Sequence, residues 1–385
     1  MLSKKWKTTL LLASGMAMST QISTADEENQ TWIDALKDMG EVYTGDDDSI
    51  VQEVKVFGRA HYQWSYSDGN SAGQDFSGNG DELRRLRGGA SVEFTNGISA
   101  LARMNLEKGG FRNTSLGYSS FDELYLDYSF SDALGFDSAT IGYGRYKVLF
   151  GGSEHQSSKR IKTIERSNIN NRFAGIRPTG VLFNGEKDGK SYSTGVFSTV
   201  QDLETLAKWK GGAAFYSSME FEALSGGVIL DFIYNNDSAR QQSDFNLKWA
   251  TSATYNRSFE NILFFAGASY GETESGSVFG IVLLPSTFII EDKLELVGRY
   301  QFGYSSEDSS VPRSSGSRGI RRVARNEGVD TGAGDQNHTF YLGLNYFLQG
   351  DNSKIMTGVE YEAISGDVGR DLDGYTFWTA YRFYF

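Results

Sequence analysis

Residues 56–66 read VFGRAHYQWSY, and the side chains change character at every step. Val56, Gly58, Ala60, Tyr62, Trp64 and Tyr66 fall on one face, and Phe57, Arg59, His61, Gln63 and Ser65 on the other. A period of two is the mark of a β-strand, because successive Cβ atoms point to opposite sides. The pattern recurs to the C-terminus and predicts sixteen strands: 51–66, 84–95, 97–108, 121–131, 137–149, 174–185, 189–200, 209–222, 224–236, 245–258, 260–271, 277–290, 292–304, 336–349, 353–364 and 374–385. Connections alternate too. Those such as TNG at 95–97 are short, and 67–83, 150–173 and 305–335 are long. Short turns on one rim and long loops on the other, with an even strand count, predict a closed antiparallel transmembrane β-barrel with both ends in the periplasm. The predicted outer faces are greasy and aromatic: Leu294, Leu296, Tyr300 and Phe302; Phe340, Leu342, Leu344 and Tyr346; then Phe377, Thr379, Tyr381, Phe383 and the terminal Phe385. Aromatic rings at strand ends suit the membrane interface.

Composition agrees. The 385 residues include 45 Gly, 53 aromatics, 3 Pro and no Cys, with mean hydropathy −0.40 and formal charge −12. A helical membrane protein needs spans of about 20 apolar residues, which such a polar chain does not supply. Disorder conflicts with the aromatic content, a disulfide scaffold or thiolate metal site needs Cys, and an acidic chain is a poor nucleic-acid binder. Lys4, Lys5 and Lys7, the apolar run TTLLLASGMAM, and Ser23 and Ala25 before Asp26 predict a cleavable signal peptide over 1–25 and export to the outer membrane. Residues 26–50 form a separate acidic periplasmic segment with nine acids and one base, in which WIDALKDMGEVY predicts a short helix. The barrel domain is 51–385.

Charge is partitioned along the chain. Residues 26–83 carry net −11, residues 84–177 net +5 and residues 178–385 net −9. On the phase of the alternation, Lys55, Arg59 and His61, then Arg85 and Arg87, then Arg103 and Asn105, then Arg145 and Lys147 face a water-filled lumen. Lipid exposure would cost about 2–4 kcal/mol per Arg or Lys at the midplane, so the lumen is where they belong. The third long loop, GGSEHQSSKRIKTIERSNINNR, is basic as well, with Lys159, Arg160, Lys162, Arg166 and Arg172 against Glu154 and Glu165. Rings of Arg and Lys favour anions, and the planar fork of Arg fits phosphate. A later cluster, Arg313, Arg318, Arg321, Arg322 and Arg325, reads as a surface loop that meets lipopolysaccharide or a neighbouring subunit.

The run GYGRYKVLFGGSEHQSSKRIKTIERS at 142–167 resembles the phosphate-selective porin O and P family, as do RRLRGGASVEF at 84–94, HTFYLGLNYFL at 338–348 and the ending YRFYF. The resemblance implies a sixteen-stranded, homotrimeric outer-membrane channel whose constriction passes small anions such as phosphate. It assigns the basic role to Arg85, Arg87, Arg145, Lys147, Lys159, Arg160 and Lys162, with Arg59 and Arg103 on the wall. The acidic balance and the acidic stretch Asp68, Asp75, Asp81 and Glu82 depart from that picture. A general channel of weak or cation selectivity is the alternative; a barrel enzyme and an adhesin are further ones. No enzyme activity, cofactor or metal is expected. The sequence lacks HExxH, GxSxG and the phosphate-loop motif, and His61, His155 and His338 are spaced too far apart for a ligand motif and read as lumen or loop residues.

Overall fold

The computed structural model describes residues 40–46, 48–173, 175–202, 204, 208–238, 247–307 and 319–385. The predicted signal peptide and most of the predicted N-terminal helix lie outside the described residues. Alternation becomes wall in order. A short β1 (Glu41–Thr44) is followed by β2 (Val51–Ser71), β3 (Gln74–Phe94), β4 (Ile98–Glu107), β5 (Leu116–Ala133) and β6 (Phe136–Arg145). Next come β7 (Thr179–Lys187), β8 (Lys190–Ser198), β9 (Ala213–Ala223), β10 (Gly226–Asn235), β11 (Trp249–Phe259) and β12 (Ile262–Glu272). The last are β13 (Ser277–Ile290), β14 (Leu294–Ser305), β15 (Gln336–Gln349), β16 (Ser353–Ser365) and β17 (Leu372–Tyr384). From β2 onward each strand pairs antiparallel with the next, and β17 pairs with β2 from Leu372↔Ser71 to Tyr384↔Arg59. The sheet is therefore a closed barrel of sixteen strands. Below Arg59 the edge of β2 extends beyond β17, and β1 covers it through Glu41↔Lys55 and Thr44↔Glu53, which leaves no bare edge there to template aggregation.

The outer face follows the predicted phase. Tyr62, Trp64 and Tyr66 are exposed while His61, Gln63, Ser65 and Ser67 are buried toward the interior. At the other end of the chain Phe377 and Tyr381 are exposed and Trp378, Ala380 and Arg382 are buried. One rim carries tight turns. Asn96, Leu134, Asp188, Leu224, Glu260 and Asp292 all have positive φ, the backbone that matches a two-residue hairpin to strand twist.

Two boundaries differ from the sequence expectation. Residues 67–83 are not a loop; β2 and β3 run on as a hairpin that turns at Ala72 and Gly73. Asp68, Asn70, Asp75 and Ser77 give that extension no greasy face, so hydropathy could not mark it, although its ladder is continuous. The strand predicted to reach residue 149 ends at Arg145. From there the chain leaves the wall and enters the barrel.

That inserted loop, residues 146–178, contains helices α1 (Gly152–His155) and α2 (Asn168–Phe173). Tyr146, Val148, Phe150, Ile169 and Phe173 bury against Phe197, Tyr216, Ile233, Phe265, Val282 and Leu284 from the β8–β13 wall. Gly280 lets Ile169 approach; a Cβ there would stand 2.3 Å from Ile169 Cδ1. Polar wall groups fix the backbone of the loop. Asp231 accepts the Gly151 N–H (2.9 Å) and meets His155 Nε2 (2.8 Å), and Tyr216 donates to the Leu149 carbonyl (2.8 Å). After β14 the chain forms a third helix, α3 (Gly319–Asn326), whose Ile320, Val323 and Ala324 pack with Phe76, Phe111 and Leu372. This helix lies against the inner faces of the β2, β3 and β17 tips, so the expected surface loop is in part a filling of the mouth. Arg313 and Arg318 lie outside the described residues.

Candidate functional site

Paired residues on neighbouring strands share a face. Arg59 on β2 stands opposite Arg87 on β3, and Arg103 on β4 pairs with Gly89 one step away. Two register shifts add to this wall. Between His61 and Tyr62 the facing strand gains a residue, so Arg84 and Arg85 both turn inward. Between Arg103 and Met104 a second shift turns both Asp122 and Glu123 of β5 inward. A bulge places two residues against one and re-aims side chains.

Asp122 is the centre of the array. Its carboxylate, 1% exposed, pairs with Arg87 Nη1 (2.9 Å), Arg103 Nε (2.7 Å) and Arg177 Nε (2.6 Å). Arg103 also contacts Glu123, and Arg87 Nε donates to Asn105 Oδ1 (2.7 Å). The loop supplies the facing side. Lys147 Nζ meets Glu154 Oε2 (2.7 Å), and Arg166 Nε lies 3.5 Å from Glu154 Oε1 while donating to the Ser153 carbonyl (2.9 Å). Arg59 Nη1 donates to Ser158 Oγ (2.5 Å), where loop and wall touch. Between them is a cavity of about 210 Å³. It is lined by Arg59, Arg87, Arg103 and Glu123 from the wall and by Lys147, Glu154, Arg166 and Arg177 from the loop. Since a water occupies about 30 Å³ of liquid, the space has room for a small, partly hydrated ion.

Burial weakens the charge of Lys147 and pushes its pKa down to about 8, against the pull of Glu154. Glu154 goes the other way. Burial would raise it, but Lys147 and then Arg166 outweigh that and hold it at about 2.

The opposite side of the lumen is also charged, but its charges are used up in holding the loop. Lys162 contacts Glu295 on β14. Arg299 donates to Thr163 Oγ1 (2.9 Å), the Glu165 carbonyl (2.6 Å) and Glu360 Oε2 (2.6 Å). Arg382 donates to the Ile164 carbonyl, and the Asn168 N–H to Gln301 Oε1 (2.6 Å).

The sequence-predicted basic residues thus divide. Arg59, Arg87, Arg103 and Lys147 line the cavity. Arg85 is buried beside it against His61 Nδ1 (3.2 Å), and Lys159 stands 5.4 Å over the Tyr384 ring. Arg160 is exposed, and Lys162 is an anchor of the loop. Arg145 departs from its predicted phase: it pairs with Leu124, on the face of Leu126, Tyr128 and Ile141, so it points out of the barrel. Its electrostatic neighbours there include Asp202 and Glu204. His61 and His155 sit in the lumen and the loop; His338, opposite Phe302, is on the outer face near Tyr300. Arg84, Arg177 and the acid Asp122 were missed, and nothing in their local sequence marks a bulge or a fold-back.

The family model for phosphate-selective porin O and P matches residues 54–283. No curated protein matches the chain. Among solved structures, OprB of Pseudomonas putida in its high-pH structure shares 10% identity at TM-score 0.56, covering 86% of this chain and 94% of that one. The outer-membrane channel DcaP of Acinetobacter baumannii shares 12% at TM-score 0.54, covering 89% and 99%. Outer-membrane-expressed OmpT of Vibrio cholerae shares 9% at TM-score 0.53, covering 86% and 98%. At such identities the likeness is one of fold. The chain belongs to the phosphate-selective porin O and P family, and is an outer-membrane channel.

Proposed function

We propose that this outer-membrane channel prefers anions, and that small oxyanions such as phosphate pass between the inserted loop and the β2–β5 wall. The observation that carries this reading is the charge balance of the passage. Six basic side chains, Arg59, Arg87, Arg103, Lys147, Arg166 and Arg177, line the cavity with two carboxylates, Glu123 and Glu154, and Asp122 lies behind them. An anion sheds part of its water and takes up guanidinium and ammonium donors already held in place. Recognition is weak enough to release because the carboxylates Asp122, Glu123 and Glu154 already offset part of the positive charge. Arg85, Lys159 and Arg160 contribute to the field around the path rather than to its lining. The reversal potential of wild-type channels in a planar bilayer under a KCl gradient tests the reading: chloride-dominated current is expected, and potassium-dominated current rejects it. The compensation by three carboxylates favours weak selectivity as the second reading, and the size of the same potential separates the two.

Residues 1–25 act as a cleavable signal on this reading, which mass spectrometry of the purified protein tests. The barrel assembles as a homotrimer embedded in lipid and lipopolysaccharide. In support, the outer face of β2–β4 carries a patch of small residues, Ala60, Gly88, Ala90, Ala100 and Ala102, beside the exposed Tyr62, Trp64 and Tyr66, while that of β15–β17 bears Phe340, Tyr346, Tyr375, Phe377 and Tyr381. A smooth face suits close subunit contact and an aromatic one suits the lipid interface. Chemical cross-linking in detergent that stops at a monomer overturns the trimer.

A further inference from the structure

Whichever ion the channel prefers, we propose that helix α3 is its size filter: a fixed stopper, socketed in the wall, that narrows the extracellular mouth. The wall makes the socket. Gly69, Gly78, Gly80 and Gly374 continue the inward phase of Ser65, Ser67, Glu82 and Thr376. They adjoin one another across β17, β2 and β3, with Gly374 paired to Gly69, Ser67 to Gly78 and Ser65 to Gly80. Four glycines together remove the side chains that would line the lumen there, and the helix takes their place. A Cβ at Gly69 would stand 2.7 Å from Ile320 Cδ1, and one at Gly374 2.5 Å from the same atom. One at Gly80 would stand 2.5 Å from Phe111 Cζ. Carbon atoms in contact rest about 3.5–4.0 Å apart, so wall and helix meet this closely only because the wall is glycine. Ile320, Val323 and Ala324 are accordingly 2% exposed or less.

Polar ties fix the helix in this seat. Arg322 of α3 and Arg112 both lie over the Phe111 ring, at 5.7 and 5.5 Å from its centroid. Glu327, one residue past the helix, pairs with Arg112 (3.2 Å), and Arg321 Nε donates to the Thr331 carbonyl (2.9 Å). Asp330 pairs with Arg370 from the loop before β17 (2.8 Å). Exposed ion pairs contribute little each; the apolar seat supplies the hold and the pairs set its orientation. Sixteen tilted strands about 4.8 Å apart enclose a ring roughly 30 Å across between backbones. A helix with its side chains is about 10–12 Å across, so α3 takes up about a third of that width. A solute entering from outside passes this mouth before it meets the inserted loop.

Neutral sugars of rising size test the proposal without involving charge. In liposome swelling, the rate for a trisaccharide relative to a monosaccharide should rise several-fold when residues 319–326 are removed. Val323→Asn loosens the seat by burying an amide in it and adds no charge. It should raise the same ratio and leave the KCl reversal potential at the wild-type value, and it serves if the shortened chain does not assemble. The chain has no Cys, and a Cβ at Gly78 would stand 3.1 Å from Val323 Cγ1. Gly78→Cys/Val323→Cys can therefore be oxidised to pin the helix, and the pinned channel should keep the wild-type sugar ratio. A wild-type ratio in the shortened chain or in Val323→Asn overturns the filter, as does a changed reversal potential in Val323→Asn. A pinned channel that passes the trisaccharide more slowly than wild type shows a helix that opens, and overturns the fixed stopper.

Discussion

The two sides of the lumen use charge for different ends. On the β2–β5 side, Arg59, Arg87 and Arg103 stand at the edge of an open cavity. On the β14–β17 side, Glu295, Arg299, Glu360 and Arg382 are all 8% exposed or less, and they grip the inserted loop. The inserted loop accounts for the contrast. Its apolar face seats on the β8–β13 wall and its tip is anchored to β14–β17, so the open space beside it lies toward the arginine side. An inward charge on a strand thus becomes part of the pathway or part of a joint according to what the loop covers.

Breaking the joint has the largest expected effect. Arg299→Ala leaves Glu360 buried without its cation and removes one of the two donors to the Glu165 carbonyl, the other being Thr163 Oγ1. Removing one member of a buried pair costs about 3–5 kcal/mol. We expect earlier thermal unfolding, followed by the loss of heat-modifiable mobility on gels, and a larger, noisier single-channel conductance as the loop loosens. Unseating the apolar side is the milder form. Gly280→Val forces a side chain into Ile169, an overpacking worth about 1–3 kcal/mol, and calorimetry should show a lower Tm with conductance raised in the same direction.

The pathway side is sharpened by pH. The pKa of Lys147 is lowered to about 8, so its charge is present at neutral pH and is lost as pH rises through that value, while Glu154, held at about 2, stays ionised. Chloride preference should therefore fall between neutral and mildly alkaline pH, and Lys147→Arg should flatten that dependence in reversal potentials. The smallest effect on transport is expected at Arg145. Its guanidinium is fully buried on the outer side, and its nitrogens have no hydrogen-bond partner among the described residues. A buried charge without a hydrogen bond is costly, so an apolar side chain of similar length is expected there at little loss of stability. Arg145→Met should leave reversal potentials unchanged and keep or raise the Tm. A loss of anion preference would return Arg145 to the lumen.

The barrel was legible because its cause is local. Each strand must offer a greasy face to lipid and a wet one to water, and that constraint is written at every second residue, as in 56–66. It fails where lipid stops. Apart from Phe76, the β2–β3 extension is polar or glycine on both faces, so strand and loop look alike there. The wall arginines Arg59, Arg87 and Arg103 were legible for the same reason. What stayed hidden depends on contacts distant in sequence. A bulge adds one residue without a compositional mark, which concealed Arg84 and Asp122. The chain leaves the wall after Arg145 because Tyr146, Val148 and Phe150 find an apolar seat on strands far along the chain. Without that exit the alternation was continued too far and with the wrong phase. That Lys162 pairs with Glu295 could not be read locally, because the two are far apart in sequence.

The most direct measurement is the reversal potential of Arg87→Glu/Arg103→Glu beside wild type, in one bilayer set-up under one KCl gradient. If ions run along the β2–β5 wall, wild type gives a chloride-dominated potential and the double variant moves it strongly toward potassium. Equal potentials for the two, or a potassium-dominated wild type, would contradict a passage governed by those arginines.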